Sequence, residues 1–402
     1  MEFSLQFGID KKTTRFNKKY LLTGIVRERQ STMRDQILYQ KHLNTIFGSK
    51  SLDDFSNEET EKSFEVLLQI LPNEGKLYKY RSFAKDKFDN YYDALEKGYL
   101  WFPCVLDLND DLDTVLYYDP VVEVENIRNY LLKNPRLYIS AILRCSEEPI
   151  QIGFNRLDDD AFYKVIDCYD IETGKLDSSK AIKLLGKLGI PTRQAISFLK
   201  KVDDFVETFI ANHQEIIESV ALRFANANAD MRKAYYVYSM SETYQSDPMW
   251  ALYGNNNRGF CIEYDYYKAK SLSIEDKKKL LNTFGAIYSD TVKEFSFVKI
   301  IKYILADKKD KQLQTEALME LFEQLMTKRA DWSFEKEWRI MLVNLEDNKI
   351  PIDIVSKIII DERVLETQES KRLIELCKRK KWSVLIRKTQ YINVAHKFEE
   401  LL

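Results

Sequence analysis

Two glutamates stand one residue apart in the stretch FEKEWRIML. Because side chains alternate along a strand, an extended backbone would place the carboxylates of Glu335 and Glu337 on one face. Such a pair can stabilise positive charge that develops on a sugar ring, and can deprotonate or orient an attacking group. The structural alternative is an ion pair with Lys336 or Arg339 at the edge of a sheet. The spacing therefore predicts either a catalytic carboxylate pair or a charged strand edge.

Two basic residues, Lys79 and Arg81, share a face of a second predicted strand, LYKYR. The planar guanidinium of Arg81 matches phosphate oxygens, so Arg81 is favoured over Lys79 as the residue that binds a pyrophosphate or a ribose. The structural alternative is a pair of solvated basic side chains on an edge strand. The pattern alone leaves both interpretations open.

Hydroxyl and aromatic side chains recur between these two strands. Ser239 and Ser241 lie on one face of the predicted strand YYVYSMSE, where a hydroxyl can bind a sugar, brace a glutamate or complete a turn. In the short predicted helix DPMWALYG, Tyr253 and Trp250 can stack on a planar ring. Trp250 equally fits a helix face that fills the core.

A polar, acidic turn near residue 110 adds further candidates. Asn109 and Asp110 suit a substrate or metal contact, whereas asparagine in a turn commonly binds its own backbone. A second hypothesis is a Mg²⁺-dependent nuclease, in which the metal is held by Asp110, Asp113, Glu335 and Glu337, with Lys336 beside them. The sequence has no compact D…E-x-K core, and none of its three histidines falls within a motif. We therefore expect no metal site.

The composition limits the function classes. In 402 residues, 45% hydrophobic and 13% aromatic content can build a large core and exclude a disordered chain. A net charge of −2 gives no overall attraction for nucleic acid. Five cysteines without a C-x-x-C pair argue against a disulfide framework or structural zinc. The chain lacks a signal-peptide pattern and a membrane-length apolar run, which predicts a cytoplasmic protein without a membrane partner.

Hydrophobic patterning predicts an α+β fold. Short strands form a split mixed sheet in a core over residues 71–118 and 231–402, with a helical arm over residues 1–70. A mostly helical insertion over residues 119–230 separates the two parts of the core. Two of the predicted helix limits are Ser56, at a helix start, and Gly98, at a helix end.

Six motifs in order resemble a bacterial family known as a domain of unknown function. They are LYKYR, N-D-x-x-D, S-x-S-E, M-W-x-x-Y, G-x-C-I and E-x-E-W-R, and the resemblance covers residues 76–118 and 235–345. The second motif departs from the family pattern, because Asp111 stands where the family usually has proline.

This family in turn resembles the ADP-ribosyltransferases, including the DarT-type modifiers of nucleic acid. Those enzymes carry His or Arg on a first strand, Ser or Tyr on a second, and a catalytic Glu, often as E-x-E. The first strand departs here, since it holds Lys79 and Arg81 and no histidine. The resemblance implies NAD as substrate and Glu337 and Glu335 as catalytic residues. It implies NAD contacts from Arg81, Lys79, Ser239, Ser241, Tyr253, Trp250 and Asn109.

The resemblance also implies partners. The acceptor would be a nucleic acid or a protein, and the enzyme a bacterial toxin or anti-phage defence effector that inhibits growth when expressed. An antitoxin or regulatory protein would bind the N-terminal arm or the insertion. A third hypothesis is a non-catalytic binding or regulatory module, in which the tryptophans and E-x-E form a recognition groove.

Overall fold

The computed structural model describes most of the chain from residue 33 onward. The described residues are 33–48, 51–108, 110, 112–134, 168–170, 175–200, 204, 215, 218–219, 221–223, 226–291, 294–305, 311–390 and 395–402. Asn109, one of the candidate site residues, and Cys145 lie outside them. The chain divides into two units, one of residues 1–115, 230–293 and 321–402 and one of residues 116–229 and 294–320.

Within the described residues, eight strands of the first unit form one mixed sheet, and six further short strands pair two by two. The strands in chain order are β1 Lys76–Ser82, β2 Leu100–Trp101, β3 Tyr169–Asp170, β4 Lys175–Leu176, β5 Tyr235–Ser241, β6 Gly259–Asp265, β7 Thr283–Gly285, β8 Ile287–Ser289, β9 Thr327–Arg329, β10 Glu337–Val343, β11 Lys349–Ile350, β12 Val355–Asp361, β13 Ser383–Gln390 and β14 Ala395–Glu400. The sheet order is β14-β13-β12-β6-β1-β5-β10-β7.

The sheet is almost divided between β1 and β5. Seven residue pairs are in register between β1 and β6, and seven between β5 and β10. Between β1 and β5, in the described strands, one pair is in register, Tyr78 opposite Ser241. The sheet therefore consists of two well-paired parts that meet at a narrow junction.

The α-helices of six or more residues in the described part of the chain belong to both units. They are α1 Met33–Ile46, α2 Asn57–Ile70, α3 Lys85–Lys97, α4 Pro120–Lys133, α5 Ser178–Lys187, α6 Ala227–Ala234, α7 Asp247–Leu252, α8 Ile274–Leu281, α9 Val298–Leu305, α10 Lys311–Met326 and α11 Gln368–Lys380. On one sheet face α3 contacts β1 and α11 contacts β12 and β13, and there the main core forms around Phe260 and Trp338. On the other face α7 packs on Tyr80 and Cys261. The predicted α+β class is confirmed.

Two predicted helix limits show how local sequence sets these elements. Ser56 caps α2, because its hydroxyl accepts the Glu59 amide while the Glu59 carboxylate accepts the Ser56 amide. Gly98 ends α3 in a left-handed conformation with φ of 72°. A Cβ at that position would lie 2.9 Å from the Asp353 Cβ, which only glycine avoids.

The second unit contains α4, α5 and α9. Within it, the Glu123 carboxylate accepts the Phe297 amide at 2.6 Å, and burial raises the pKa of this carboxyl. A small apolar cluster joins α5 to the helical residues 192–200 through Leu185 and Leu199. In the described part of the chain, no helix combines the length and apolar character needed to cross a membrane.

Candidate functional site

The three strands that carry the proposed motifs lie side by side in the sheet. β5, with its two serines, is the neighbour of both β1 and β10. The register places Glu337 opposite Ser241 and Arg339 opposite Ser239, so these four side chains share one sheet face. The strands β1 and β10, which are more than 250 residues apart in the chain, thus lie on the two sides of β5.

The backbone conformation that brings the carboxylates of Glu335 and Glu337 together differs from the predicted one. The expectation of one extended strand is wrong, because Glu335 ends a 3₁₀ helix over Ala330–Glu335 and β10 begins at Glu337. Lys336 between them is left-handed, with φ of 44°, and points to solvent. This reversal directs both carboxylates to the same buried ammonium group, that of Lys328.

Lys328 joins the two glutamates. Its Nζ lies 2.6 Å from Glu335 Oε2 and 2.9 Å from Glu337 Oε2, with Asp113 Oδ2 at 3.3 Å. The pairing of β8 with β9 places Lys328 opposite Tyr288, and the Tyr288 hydroxyl accepts the amide of Glu337 at 2.8 Å. Sequence reasoning missed Lys328, because it lies on a three-residue strand with no alternation to reveal its direction.

Arg339 completes the cluster and is fully buried, with 0% exposure. Its Nε donates to Glu337 Oε1 at 2.8 Å and its Nη2 to Oε2 at 3.0 Å, a bidentate pair. The same Nη2 donates to Asp113 Oδ2 at 2.6 Å, and Nη1 donates to the Thr114 hydroxyl at 3.2 Å. The predicted ion pair between Glu337 and Arg339 is therefore present, inside the fold and not at a sheet edge.

The environment separates the pKa values of the two glutamates. Burial raises the pKa of Glu335, and the Glu337 charge raises it further. Burial also acts to raise the pKa of Glu337, but Arg339 and Lys328 outweigh it and hold this pKa well below its usual range. Two carboxyl groups whose pKa values are pushed apart are suited to different proton roles. Glu337 remains an ionised carboxylate, and Glu335 is the group that can hold a proton.

Hydroxyl groups orient this pair. The Tyr253 hydroxyl donates to Glu335 Oε1 at 2.5 Å, and the Ser241 hydroxyl donates to the backbone oxygen of Glu335 at 2.7 Å. The Ser239 hydroxyl bonds the Glu337 carboxylate. Three of the predicted contact residues therefore lie at the glutamates, where the serines brace them.

The other predicted contacts lie elsewhere. Lys79 and Arg81 are opposite Ile262 and Phe260 in the register, on the sheet face that carries the main core and not the glutamates. Arg81 and Glu337 therefore lie on opposite faces of the sheet. Alternation along β1 puts Arg81 on the face opposite to Tyr78, and Tyr78 is the residue paired with Ser241.

Trp250 is a core residue. It is fully buried, its Nε1 donates to the Tyr244 backbone oxygen at 2.7 Å, and its ring meets that of Tyr80 edge to face. In the next turn, residues 254–258, three amides donate to carbonyls of α7, for example Asn257 N to Trp250 O at 3.0 Å. This turn therefore ends the helix.

In the described part of the chain, no group of three or more His, Cys, Asp or Glu side chains has an arrangement that could hold a metal ion. The carboxylates of the cluster are bound by Lys328 and Arg339. Cys104, Cys168, Cys261 and Cys377 are free thiols.

Comparison with known proteins gives one match. A family model described as "Protein of unknown function (DUF2971)" matches residues 249–340, so the matched region starts in α7 and ends in β10. No curated protein and no solved structure matches the chain. The region that carries Tyr253, Glu335, Glu337 and Arg339 is thus the region similar to a bacterial domain of unknown function.

Proposed function

We propose that the protein is an ADP-ribosyltransferase that transfers ADP-ribose from NAD to a nucleic acid or a protein. One observation carries the proposal. The strands bearing LYKYR, S-x-S and E-x-E are neighbours in the sheet, and the two glutamates of E-x-E share one buried cluster with divergent pKa values. The resemblance that suggested this activity depends on the same three motifs in the same order.

The proposed roles follow from the charges. When the bond between the ribose carbon and nicotinamide breaks, positive charge develops on the ribose, and the ionised Glu337 stabilises it. A nucleophilic atom of the acceptor then bonds to that carbon and loses its proton to Glu335. Nicotinamide leaves, and the proton passes from Glu335 to water. Tyr253 holds Glu335 in place for this transfer.

Arg81 has no part in this proposal, because it lies on the other sheet face. The side chains of β1 on the glutamate face are Tyr78 and Tyr80, which would bound the nicotinamide end of the site. The first motif therefore departs from the ADP-ribosyltransferase pattern in two ways. It has no histidine, and its arginine lies on the sheet face opposite to the glutamates. In this proposal, residues other than Arg81 bind the NAD phosphates.

A structural role for the cluster is the competing interpretation, because Lys328 and Arg339 already pair with both glutamates. In a non-catalytic module, these ion pairs would be the whole role of the two glutamates. The nuclease hypothesis has less support, since the cations occupy the oxygens that Mg²⁺ would need.

The test is transfer of label from NAD to purified RNA, DNA and lysate protein by the full chain. Glu335→Gln is the most informative variant, because Gln cannot accept the proton and keeps an oxygen for Lys328. We expect a loss of about 10²–10⁴-fold, the usual contribution of a proton-transfer group. Glu263→Gln, at another glutamate that is buried in the sheet, should retain activity.

Two results would contradict the proposal. One is folded wild-type protein that transfers no label to any of the three acceptor classes. The other is Glu335→Gln that transfers label at the wild-type rate, which would leave the cluster with a structural role. If the proposal holds, expression of the wild-type chain should inhibit bacterial growth, and expression of Glu335→Gln should not.

A further inference from the structure

The sheet face opposite the glutamates holds a cavity of about 510 Å³. It lies between α3 and the β2–β11 pair, and its inner wall is formed by Arg81, Tyr238 and Tyr264. This volume falls within the range of small-molecule sites, about 300–1,000 Å³. All of the lining residues belong to the first unit. The cavity is therefore large enough for one small ligand.

Arg81 brings an uncompensated positive charge to this cavity. Its guanidinium lies 4.5 Å over the ring of Tyr91. Burial raises the pKa of Tyr238, and the nearby Arg81 charge opposes that effect. In the part of the chain that the structure describes, no carboxylate forms an ion pair with Arg81. Among the described residues, Arg81 thus contacts the Tyr91 ring and the Tyr238 hydroxyl, both uncharged, and an arginine without a carboxylate partner at a cavity can bind phosphate or carboxylate.

Neighbouring charges strengthen the preference for an anion. Lys87 and Lys349 also line the cavity. The two acidic lining residues, Asp93 and Asp353, are bound by lysines, at 2.7 Å for Asp93 and 3.3 Å for Asp353.

Aromatic groups supply a second kind of contact. The cavity is lined by Tyr91, Tyr99 and Trp101, and Trp101 is 45% exposed, so part of its ring is open to solvent. Aromatic side chains at the rim of a cationic pocket offer a surface on which a planar ring stacks. The two sets of contacts together require a ligand with both an anionic group and a planar ring.

We propose that this cavity is a second ligand site, which binds a small molecule that carries a phosphate group and a planar heterocyclic ring. The phosphate contacts Arg81 inside the cavity, and the ring stacks at the rim against Trp101. The site is separate from the glutamate cluster, because it opens on the other face of the sheet.

The experiment measures binding of AMP to the full chain by calorimetry, with adenosine and inorganic phosphate as single-feature probes. We expect AMP to bind more tightly than either probe, and more weakly at higher salt. Arg81→Met should weaken AMP binding about tenfold or more, through loss of a charge-assisted contact. Arg372→Met is the matched control, since Arg372 also stacks on a tyrosine of α3, Tyr92, at 3.9 Å, but does not line the cavity.

Several outcomes would overturn the proposal. They are absence of AMP binding to wild-type protein, equal binding to Arg81→Met, and equal loss in Arg372→Met. If Arg81→Met does not fold, Trp101→Leu at the exposed rim replaces it and should weaken AMP binding more than phosphate binding. Glu335→Gln should bind AMP as wild type does. A loss in Glu335→Gln equal to that in Arg81→Met would place AMP at the glutamate cluster and contradict a second site.

Discussion

Replacing Glu337 by glutamine should destabilise the protein strongly, whatever the reaction it carries out. The substitution keeps the shape of the side chain and removes its charge. Glu337 now accepts from Arg339 at 2.8 and 3.0 Å and from Lys328 at 2.9 Å, and all three side chains are buried. After the change, Arg339 and Lys328 must share the charges of Asp113 and Glu335, and Arg339 loses its bidentate partner.

The expected loss in the free energy of unfolding follows from this geometry. Removing one partner of a buried ion pair costs about 3–5 kcal/mol, because the remaining charge stays buried without compensation. That is a large part of the roughly 5–15 kcal/mol by which a folded protein is stable. For a unit of this size it corresponds to a fall in Tm of about 6–20 °C, at about 2–4 °C per kcal/mol.

The assay is thermal unfolding followed by tryptophan fluorescence, since Trp338 neighbours Glu337 and is buried. The direction in which the Tm difference changes with pH follows from the pKa of Glu337. The folded-state pKa of Glu337 lies below its ordinary value of 4.5, so its contribution is complete above about pH 4.5. The contribution is lost as the pH falls through the folded-state pKa. The Tm difference between wild type and Glu337→Gln should therefore be full at pH 7 and narrow in strong acid.

Glu263→Gln is the control for a buried glutamate without an arginine partner. Its carboxylate accepts from Tyr78 at 3.1 Å and from Ser356 at 2.8 Å, and its cation, Lys357, is half-buried. We expect it to cost about 1 kcal/mol, the scale of one hydrogen bond. If Glu337→Gln lowered Tm no more than Glu263→Gln, the ion pairs of Glu337 with Arg339 and Lys328 would not stabilise the fold, and the prediction would be wrong.

Two further predictions concern other parts of the first unit. Tyr253→Phe removes a hydrogen bond that lowers the pKa of Glu335, so this pKa should rise and the acid limb of the pH–rate profile for label transfer should move to higher pH; an unchanged profile would contradict the proton role of Glu335. Ser56→Ala removes one half of the capping box of α2 and should cost about 1 kcal/mol in chemical denaturation, whereas the exposed change Glu58→Ala should cost less.

The local signals of the sequence predicted the elements well. The helix start at Ser56, the helix end at Gly98 and the strands β1 and β5 each depend on a few adjacent residues, and the structure has them all. Alternation also predicted correctly that Lys79 and Arg81 share a face. Such features are readable because the physical cause lies within about one turn or one strand of the residue concerned.

The site needed information that the local sequence does not hold. Which face of β1 meets the glutamates depends on the neighbour of β1 in the sheet, and β5 follows it only after more than 150 residues. Asp113 reaches Arg339 across 226 residues of the chain. The left-handed Lys336 was missed because an extended E-x-E and a reversed one have the same letters.

The junction between β1 and β5 has a consequence for how this sheet can vary. Elsewhere in a sheet, backbone hydrogen bonds keep adjacent strands about 4.8 Å apart, whatever the side chains are. At this junction side chains make the connection: the Lys79 ammonium donates to the Ser239 carbonyl, and the Tyr80 hydroxyl donates to the Thr243 carbonyl at 2.8 Å. Side chains therefore supply part of the connection that backbone pairs supply elsewhere in the sheet. A single substitution at position 79 or 80 can change the contact between β1 and β5, a freedom that a fully paired strand does not allow.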